Sequence, residues 1–345
     1  MDAGKFYALL RFEEAALALR TALRMNLVDS IGKKELTHNE LRDELGFTEQ
    51  AARTFFTLLQ VMEILEREND LYRITPLAAE CLGNSVPTSR KPYLGLGSED
   101  DCDEMIALFR GNKPADSIPL YGGEHTGPTV MDEYALASEI AHGLASRARN
   151  FAEPLAAAIA ERFPQVSSIA DIGAGSPFVA QACLHRMPHL TSTHLVDRSN
   201  GMHFVHEIIG QENIDTSKME FHEIDFFTEV PPAELYILSN TAHDWQPAEY
   251  STITNNILCQ IPENGIVCIH EPLLMTEWDN DSEWIRALWM ACYAMTLLRI
   301  TLGEGTCYTV DEHNTILAQS GFQPLGQPSN TNDGCTALFY NLADE

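Results

Sequence analysis

Residues 167–177 read SSIADIGAGSP: a short apolar run with one acid, then a turn with glycines at positions 173 and 175. The run has the length of a buried β-strand, and the residues after the turn, FVAQACLHRM, show the apolar spacing of a helix. The two glycines allow unusual φ angles and a close approach of the backbone to a ligand, and the helix that follows presents free amides. The stretch therefore predicts a ligand-binding turn at the start of an α/β domain.

Four more apolar runs follow, separated by helical segments: THLVD (193–197), MEFHEID (219–225), ELYILSNT (234–241) and NGIVCIHEPLL (264–274). Strands that alternate with helices predict an α/β fold with a doubly wound, Rossmann-like parallel sheet, which we assign to residues 164–345. Ligands of such sheets bind outside the carboxyl ends of the strands. Every motif discussed below falls at such an end.

The first 90 residues have a different pattern. Helical segments are followed by LEREND and LYRIT, two strand-like pieces around the turn pair Asn69-Asp70, and Thr37 and Glu40 form a capping-box pattern. Helix, turn, helix and hairpin indicate an N-terminal, helical winged-helix domain over residues 1–90. We expect it to serve dimerisation, and we expect residues 91–163 to form a helical connector that caps the cleft.

Composition limits the possible partners. The chain has 345 residues with 22 Lys plus Arg against 50 Asp plus Glu, a net charge of −28, which disfavours nucleic-acid binding. No apolar run is long enough to span a bilayer and no signal-peptide layout is visible, so we expect a cytoplasmic protein. The eight cysteines form no CxxC pair and no HExxH occurs, so no metal site is predicted.

Acids stand at three successive strand ends: Asp171, Asp197 and Asp225. Asp197 could accept hydrogen bonds from ribose hydroxyls, and Asp225 with Phe226 could provide an acceptor and an apolar wall for an adenine ring. Any one of these acids alone is more often a helix cap or a turn residue. The glycine turn is shared by dinucleotide enzymes and methyltransferases, but Phe178 replaces the third glycine of the dinucleotide pattern.

The chain resembles class I S-adenosylmethionine-dependent O-methyltransferases with an N-terminal winged-helix dimerisation domain. This family includes plant caffeate enzymes, acetylserotonin enzymes and bacterial polyketide-tailoring enzymes. The resemblance rests on LYRITPLA, DIGAG, LVD, IDFF, the HDW box and NGIVCIHEP, and it covers nearly the whole chain. It is most specific in the HDW box, which is paired with a glutamate at the end of the next strand.

The resemblance implies a cofactor site for S-adenosylmethionine. Gly173 and Gly175 would lie against its methionine part, Asp197 against the ribose, and Asp225 with Phe226 against the adenine. We add Asp171 and Asn240 to the predicted cofactor-binding residues. Pro177 stands where the family commonly has a last glycine. Proline fits the first turn of a helix, so a tolerated variation is one interpretation, and weakened cofactor binding is the other.

His243, in TAHDW, is the predicted general base, because a phenol is a poor nucleophile at neutral pH until its proton is removed. The resemblance makes Glu271 the acid that orients this histidine. A structural histidine is the alternative interpretation. Plant relatives often have a second acid where this chain reads GEGTCYT with Cys307, so the histidine would have one carboxylate partner.

Four residues are predicted to contact the acceptor, although a core position is the ordinary role of such side chains. They are His142, Trp289, Met290 and Tyr293. The sequence thus predicts a dimeric enzyme that methylates a hydroxyl of a small aromatic or polyketide-like metabolite. One alternative is a non-methylating enzyme that uses bound S-adenosylmethionine as an electrostatic aid, and another is a winged-helix regulator that senses a ligand.

Overall fold

The computed structural model describes residues 25–47, 62–84, 117–120, 127–275, 300–331 and 334–343. It also describes single positions at 16, 19, 20, 22, 23, 52, 55, 56, 59, 60, 89, 283, 286, 290, 293, 294 and 297. The chain divides into two compact units, Met1–Ser98 and Glu99–Glu345. The predicted three-part division of the chain stays a prediction.

The N-terminal unit contains short helices and a small antiparallel sheet. Its elements are α1 (Leu27–Ile31), β1 (Leu36–Thr37), α2 (His38–Leu45), β2 (Leu65–Glu68), β3 (Leu71–Ile74) and α3 (Pro76–Leu82). The capping box is confirmed: the Thr37 side chain accepts from the Glu40 amide, and the Glu40 carboxylate accepts from the Thr37 amide. The hairpin is also confirmed, and Asn69 and Asp70 both have positive φ, as its tight turn requires. Strand β1, which pairs with β3, was not predicted.

The C-terminal unit alternates strands and helices. Its helices are α4 (Tyr134–Arg162), α5 (Phe178–Arg186), α6 (Ser199–Glu212), α7 (Pro247–Leu258) and α8 (Val310–Gln319). Its strands are β4 (Ser168–Ile172), β5 (Ser192–Asp197), β6 (Met219–Glu223), β7 (Leu235–Ser239), β8 (Ile266–Pro272), β9 (Phe322–Pro324), β10 (Ser329–Asn330) and β11 (Cys335–Leu342). Short 3-10 turns cover Val130–Asp132 and Ala242–Asp244.

Within the described residues these strands form one sheet in the order β10-β11-β8-β7-β4-β5-β6, with β9 paired to β11. Strands β4 to β8 run parallel, which confirms the predicted Rossmann-like fold. From β4 the chain continues outward through β5 and β6, then returns to the other side of β4 with β7 and β8. The carboxyl ends of β4 and β7 therefore meet where the order reverses, the place at which such sheets bind ligands. Strands β9 to β11 were not predicted.

Apolar clusters cover both faces of the sheet. Leu155, Ile159 and Phe178 pack on one face, and Tyr250, Ile253 and Leu317 pack on the other. Because both faces are covered, every residue of β8 is buried, which explains the apolar run IVCI with which it begins. No helix in the described part of the chain combines the length and the apolar character needed to cross a bilayer.

Candidate active site

A cavity of about 280 Å³ lies at the carboxyl ends of the parallel strands. This volume is close to the lower end of the roughly 300–1,000 Å³ typical of ligand sites. The residues that line it are Thr129, Met131, Ala141, Leu144, Arg147, Gly173, Gly175, Asp197, Arg198, Ser199, Asn200, Gly201, Phe204, Phe226, Asn240, Thr241, His243, Asp244, Trp245 and Tyr293. The wall thus combines apolar surface with a few polar groups.

The glycine turn after β4 is held against the neighbouring strands. Gly173 has a φ of 71°, its N–H donates to the Val196 carbonyl at 2.9 Å, and a Cβ there would lie 2.8 Å from Thr241 Oγ1. Pro177 is the N-cap residue of α5, and its carbonyl accepts from the Gln181 N–H at 2.9 Å. Proline therefore starts this helix without disturbing its first hydrogen bond.

Asp197 ends β5 beside this turn. Its Oδ2 accepts from the Gly175 N–H at 2.8 Å and its Oδ1 accepts from the Arg198 N–H at 2.8 Å. Burial raises the pKa of Asp197, although both backbone donors act in the opposite direction. A side chain at Gly201 would overlap the carboxylate, so α6 begins in close contact with it. The acid is thus fixed at the wall of the cavity.

Two other predicted acids do not line the cavity. Asp171 is buried under the turn, 3% exposed, and its Oδ2 has no hydrogen-bond partner in the structure. Burial, followed by the charge of Asp197, raises the pKa of Asp171 well above its ordinary value. Asp225 Oδ1 accepts from the Phe227 N–H at 3.0 Å and so stabilises its own turn, while the neighbouring Phe226 does line the cavity. Cofactor contacts by the two acids stay predictions.

His243 and Glu271 form a buried pair at the ends of β7 and β8. His243 Nδ1 lies 2.5 Å from Glu271 Oε2, and Glu271 Oε1 accepts from the N–H groups of Thr241 and Ala242 at 2.9 and 2.8 Å. The pairing occupies Nδ1 and leaves Nε2 as the nitrogen that can take a proton. Nε2 lies 3.5 Å from Asp244 Oδ1, a buried oxygen with no hydrogen-bond partner in the structure.

Electrostatics makes this histidine basic. Burial lowers the pKa of His243, but the charges of Glu271 and Asp244 outweigh burial, so the pKa is raised overall. Burial in turn raises the pKa of Glu271, but the charge and the hydrogen bond of His243 outweigh it and hold that pKa low. Burial raises the pKa of Asp244 to about 7. The histidine therefore has an ionised partner on its Nδ1 side.

Arg147 is a cavity residue that the sequence analysis missed. It lies on α4, is 5% exposed, and donates from Nη1 to the Tyr293 hydroxyl at 2.8 Å. Its guanidinium carbon lies 5.0 Å from the Tyr293 ring centre, and that ring meets the His243 ring edge-on at 5.9 Å. A basic residue between Leu144 and Phe151 on the apolar stripe of a helix was the available signal.

The remaining predicted residues divide into two groups. Asn240 and Tyr293 line the cavity. His142 and Met290 do not: the His142 ring bonds within α4 to the Ser138 carbonyl at 2.7 Å, and Met290 is fully buried. Trp289 lies outside the described residues. Contacts of these side chains with an acceptor stay predictions.

The GEGTCYT segment runs beside the histidine, because the Thr306 N–H donates to the His243 carbonyl at 2.8 Å. Cys307, in the same segment, is 1% exposed and does not line the cavity. Burial, followed by the charge of Glu271, raises the pKa of the Cys307 thiol. It therefore does not provide His243 with a second acidic partner.

Comparison with known proteins finds a family model and relatives that match the sequence of the chain. The model of the O-methyltransferase domain family matches residues 129–323. A tetracenomycin polyketide synthesis 8-O-methyl transferase of Streptomyces glaucescens is 26% identical over 312 residues, which cover 88% of this chain and 87% of the relative. An N,N-dimethyltransferase of Streptomyces rimosus is 25% identical over 277 residues, 76% of this chain and 75% of the relative.

Solved structures share the fold. Human N-acetylserotonin methyltransferase in complex with S-adenosylmethionine matches with a TM-score of 0.75 at 18% identity and covers 100% of this chain and 99% of its own. Mitomycin 7-O-methyltransferase also matches with a TM-score of 0.75 at 18% identity, covering 99% and 97% of the two chains. At this identity the likeness establishes the architecture.

The unpartnered acid under the turn gives a testable pH dependence. Asp171 keeps its proton in the folded chain to a much higher pH than in the unfolded chain, so its contribution to stability is lost as pH rises above the unfolded pKa. We subtract the unfolding free energy of the unsubstituted chain from that of Asp171→Asn. This difference should increase from about pH 5 to about pH 7, by at most about 1.4 kcal/mol per pH unit. Urea unfolding at both pH values measures it.

The control is Asp70→Asn, which replaces an exposed acid in the hairpin turn of the other unit. It shows what the replacement of an acid by an amide does to the urea unfolding of the chain at the same two pH values. Parallel pH dependences of the unsubstituted chain and Asp171→Asn would contradict the prediction.

Proposed function

The chain belongs to the O-methyltransferase domain family, and on that premise we propose that it transfers a methyl group from S-adenosylmethionine to a hydroxyl of a small aromatic or polyketide-like acceptor. The observation that carries this proposal is the buried His243–Glu271 pair at the wall of the cavity. A histidine with an ionised carboxylate on Nδ1 is suited to remove a proton with Nε2. The glycine turn and Asp197 stand at the same cavity.

The described residues fit S-adenosylmethionine. Gly173 and Gly175 line the cavity with bare backbone, and Asp197 stands beside this turn. Phe226 and Trp245 supply aromatic walls, with ring centres 6.2 Å apart, and the buried Trp245 Nε1 has no hydrogen-bond partner in the structure. We assign the cofactor to these residues and Asn240. When bound, its sulfonium group supplies an electrophilic methyl carbon.

The proposed mechanism follows from which atom of the His243–Glu271 pair can take a proton. His243 Nε2 would take the proton of the acceptor hydroxyl and so make its oxygen a nucleophile for the methyl group that the bound cofactor would supply. Glu271 stabilises the imidazolium that forms, and the N–H groups of Thr241 and Ala242 keep this carboxylate ionised in a buried position. The guanidinium of Arg147 lies close enough to lower the pKa of His243, and the same positive field favours an anionic oxygen on the acceptor.

The relatives indicate the acceptor class. Besides the tetracenomycin enzyme, they include a 3-hydroxy-5-methyl-1-naphthoate 3-O-methyltransferase of Streptomyces sahachiroi, 23% identical over 88% of this chain and 84% of the relative. We therefore propose that the acceptor is a flat, hydroxylated ring system. A panel of hydroxynaphthoates, hydroxyphenazines and polyketide phenols, each paired with an amine analogue, tests both the ring system and the methylated atom.

We also propose a homodimer formed through the N-terminal unit and a cytoplasmic location. Leu77 on α3 is 58% exposed, and a partner copy that covered it would remove apolar surface from water. Light scattering after size-exclusion chromatography should give twice the chain mass of 38.4 kDa. A monomer at micromolar concentration would contradict the dimer. Cell fractionation checks the location.

The glycine turn provides the test of the cofactor site. Gly173→Ala forces an alanine to a φ of 71° and brings its Cβ against the Thr241 side chain. We expect the Kd for S-adenosylhomocysteine, measured by calorimetry, to rise at least about tenfold, equivalent to about 1.4 kcal/mol. Gly210→Ala is the matched control, because a Cβ at that position meets nothing within 4 Å. Equal affinities in both variants would place the cofactor elsewhere.

The catalytic pair is tested by its pH profile. His243→Ala should lower kcat about 10²- to 10⁴-fold, the usual contribution of a general base. Activity rises with pH as His243 loses its proton, and Glu271 raises the pKa of this histidine. Glu271→Gln should therefore shift the acidic limb of kcat/KM to lower pH and reduce kcat as well. The assay follows S-adenosylhomocysteine release with the best acceptor of the panel.

His185→Ala, which removes an exposed histidine on α5, is the control and should leave the profile unchanged. An unshifted acidic limb in Glu271→Gln would refute the pairing. Acceptor conversion without an equal amount of S-adenosylhomocysteine would favour the non-methylating alternative.

A further inference from the structure

A second group of polar side chains lies at the β6 edge of the sheet, away from the cavity. His194 on β5 pairs in register with Glu220 on β6, and Val196 pairs with His222. Because side chains alternate along a strand, the three polar residues share one face of the two strands. In the described part of the chain β6 pairs with β5 alone, so this group lies across the pairing that holds the edge strand.

The three side chains converge on one point. His194 Nδ1 lies 3.0 Å from His222 Nε2 and 3.4 Å from Glu220 Oε2, and one atom of each residue lies within 4.8 Å of the others. Tetrahedral zinc with bonds of about 2.0–2.1 Å separates its ligand atoms by about 3.3 Å. The two distances from His194 lie within 0.4 Å of that separation. Two imidazoles and a carboxylate also form a ligand set that zinc accepts.

Burial and orientation distinguish this group from ordinary surface pairs. His194 is 9% exposed, and its other ring nitrogen, Nε2, lies 3.1 Å from the Ser192 hydroxyl. A metal-binding histidine commonly donates its second N–H to such an acceptor, which fixes the tautomer and points the other nitrogen at the metal. Glu220 is more than half exposed, so the site opens to solvent on one side, where water can complete the coordination.

We propose that His194, Glu220 and His222 bind a divalent transition-metal ion, with Zn²⁺ the best match, and that the ion clamps β6 to β5. The site is structural and separate from methyl transfer, because none of the three side chains lines the cavity. Imidazole ligands favour zinc over Mg²⁺ and Ca²⁺, which prefer oxygen. In the absence of metal, a hydrogen bond joins the two imidazoles.

The test uses the full chain without a histidine tag, stripped with EDTA and then freed of the chelator. Zn²⁺ titration by calorimetry should show one ion bound at this site, and saturating Zn²⁺ should raise the Tm by several degrees, because the ion binds the folded state. His222→Ala and Glu220→Gln should each weaken this binding at least about tenfold, and Ser192→Ala should weaken it about 10- to 100-fold. His185→Ala, an exposed histidine with a single carboxylate neighbour, should bind Zn²⁺ like the unsubstituted chain.

The visible spectrum of bound Co²⁺ distinguishes metal binding at this site from metal binding by cysteines. Co²⁺ at a site of two imidazoles and a carboxylate shows visible d–d bands without the thiolate charge-transfer bands of a cysteine site. These d–d bands should disappear in His222→Ala. Equal Zn²⁺ affinity in the unsubstituted chain, His222→Ala and Glu220→Gln would overturn the proposal and leave a hydrogen-bonded trio. Thiolate bands that persist in all variants would overturn it in favour of cysteine binding.

Discussion

Glu271 is buried to 1% exposure at the end of β8, and its charge is balanced by three donors: the amides of Thr241 and Ala242 and the ring of His243. An ion in such a place is stable only when its hydrogen bonds are complete. The parallel register of β7 and β8, which pairs Ser239 with His270, brings the two amides to the carboxylate. The position of His243 therefore depends on a backbone pairing, and the loop that carries it cannot shift without leaving a buried charge unsatisfied.

Two neighbouring acids differ in protonation, and the largest cause that lowers the pKa of Glu271 is the charge of His243. Glu271 and Asp244 both lie beside His243, but Glu271 receives two amide hydrogen bonds while Asp244 Oδ1 has no hydrogen-bond partner in the structure. Burial raises the pKa of Asp244 to about 7, whereas the pKa of Glu271 is held low. Environments that give neighbouring carboxyl groups very different pKa values are typical of active sites. Glu271 therefore stays ionised beside His243, whereas Asp244 can gain or lose a proton near neutral pH.

The sequence predicted the parallel strands because each is a short, mostly apolar run that ends in a glycine, an acid or small polar residues, and this pattern is local. It predicted the His243–Glu271 pairing through the family resemblance, and the structure brings the two side chains together. It did not predict β11, because the position of this strand beside β8 depends on pairing between distant segments. The inward position of Arg147 depends on which face of α4 packs on the sheet. The group of His194, Glu220 and His222 depends on the register of β5 and β6.

The position of β11 also bears on how the domain folds. β8 is buried along its whole length, but its outer neighbour comes from a strand that follows α8, β9 and β10 in the chain. Contacts between such distant segments form slowly, because a long loop must close first. Until β11 docks, the backbone N–H and C=O groups along one edge of β8 are unpaired, and an open edge of this kind promotes aggregation. The strand that ends at the His243–Glu271 pair is therefore open to misassembly until the last strand of the sheet has formed.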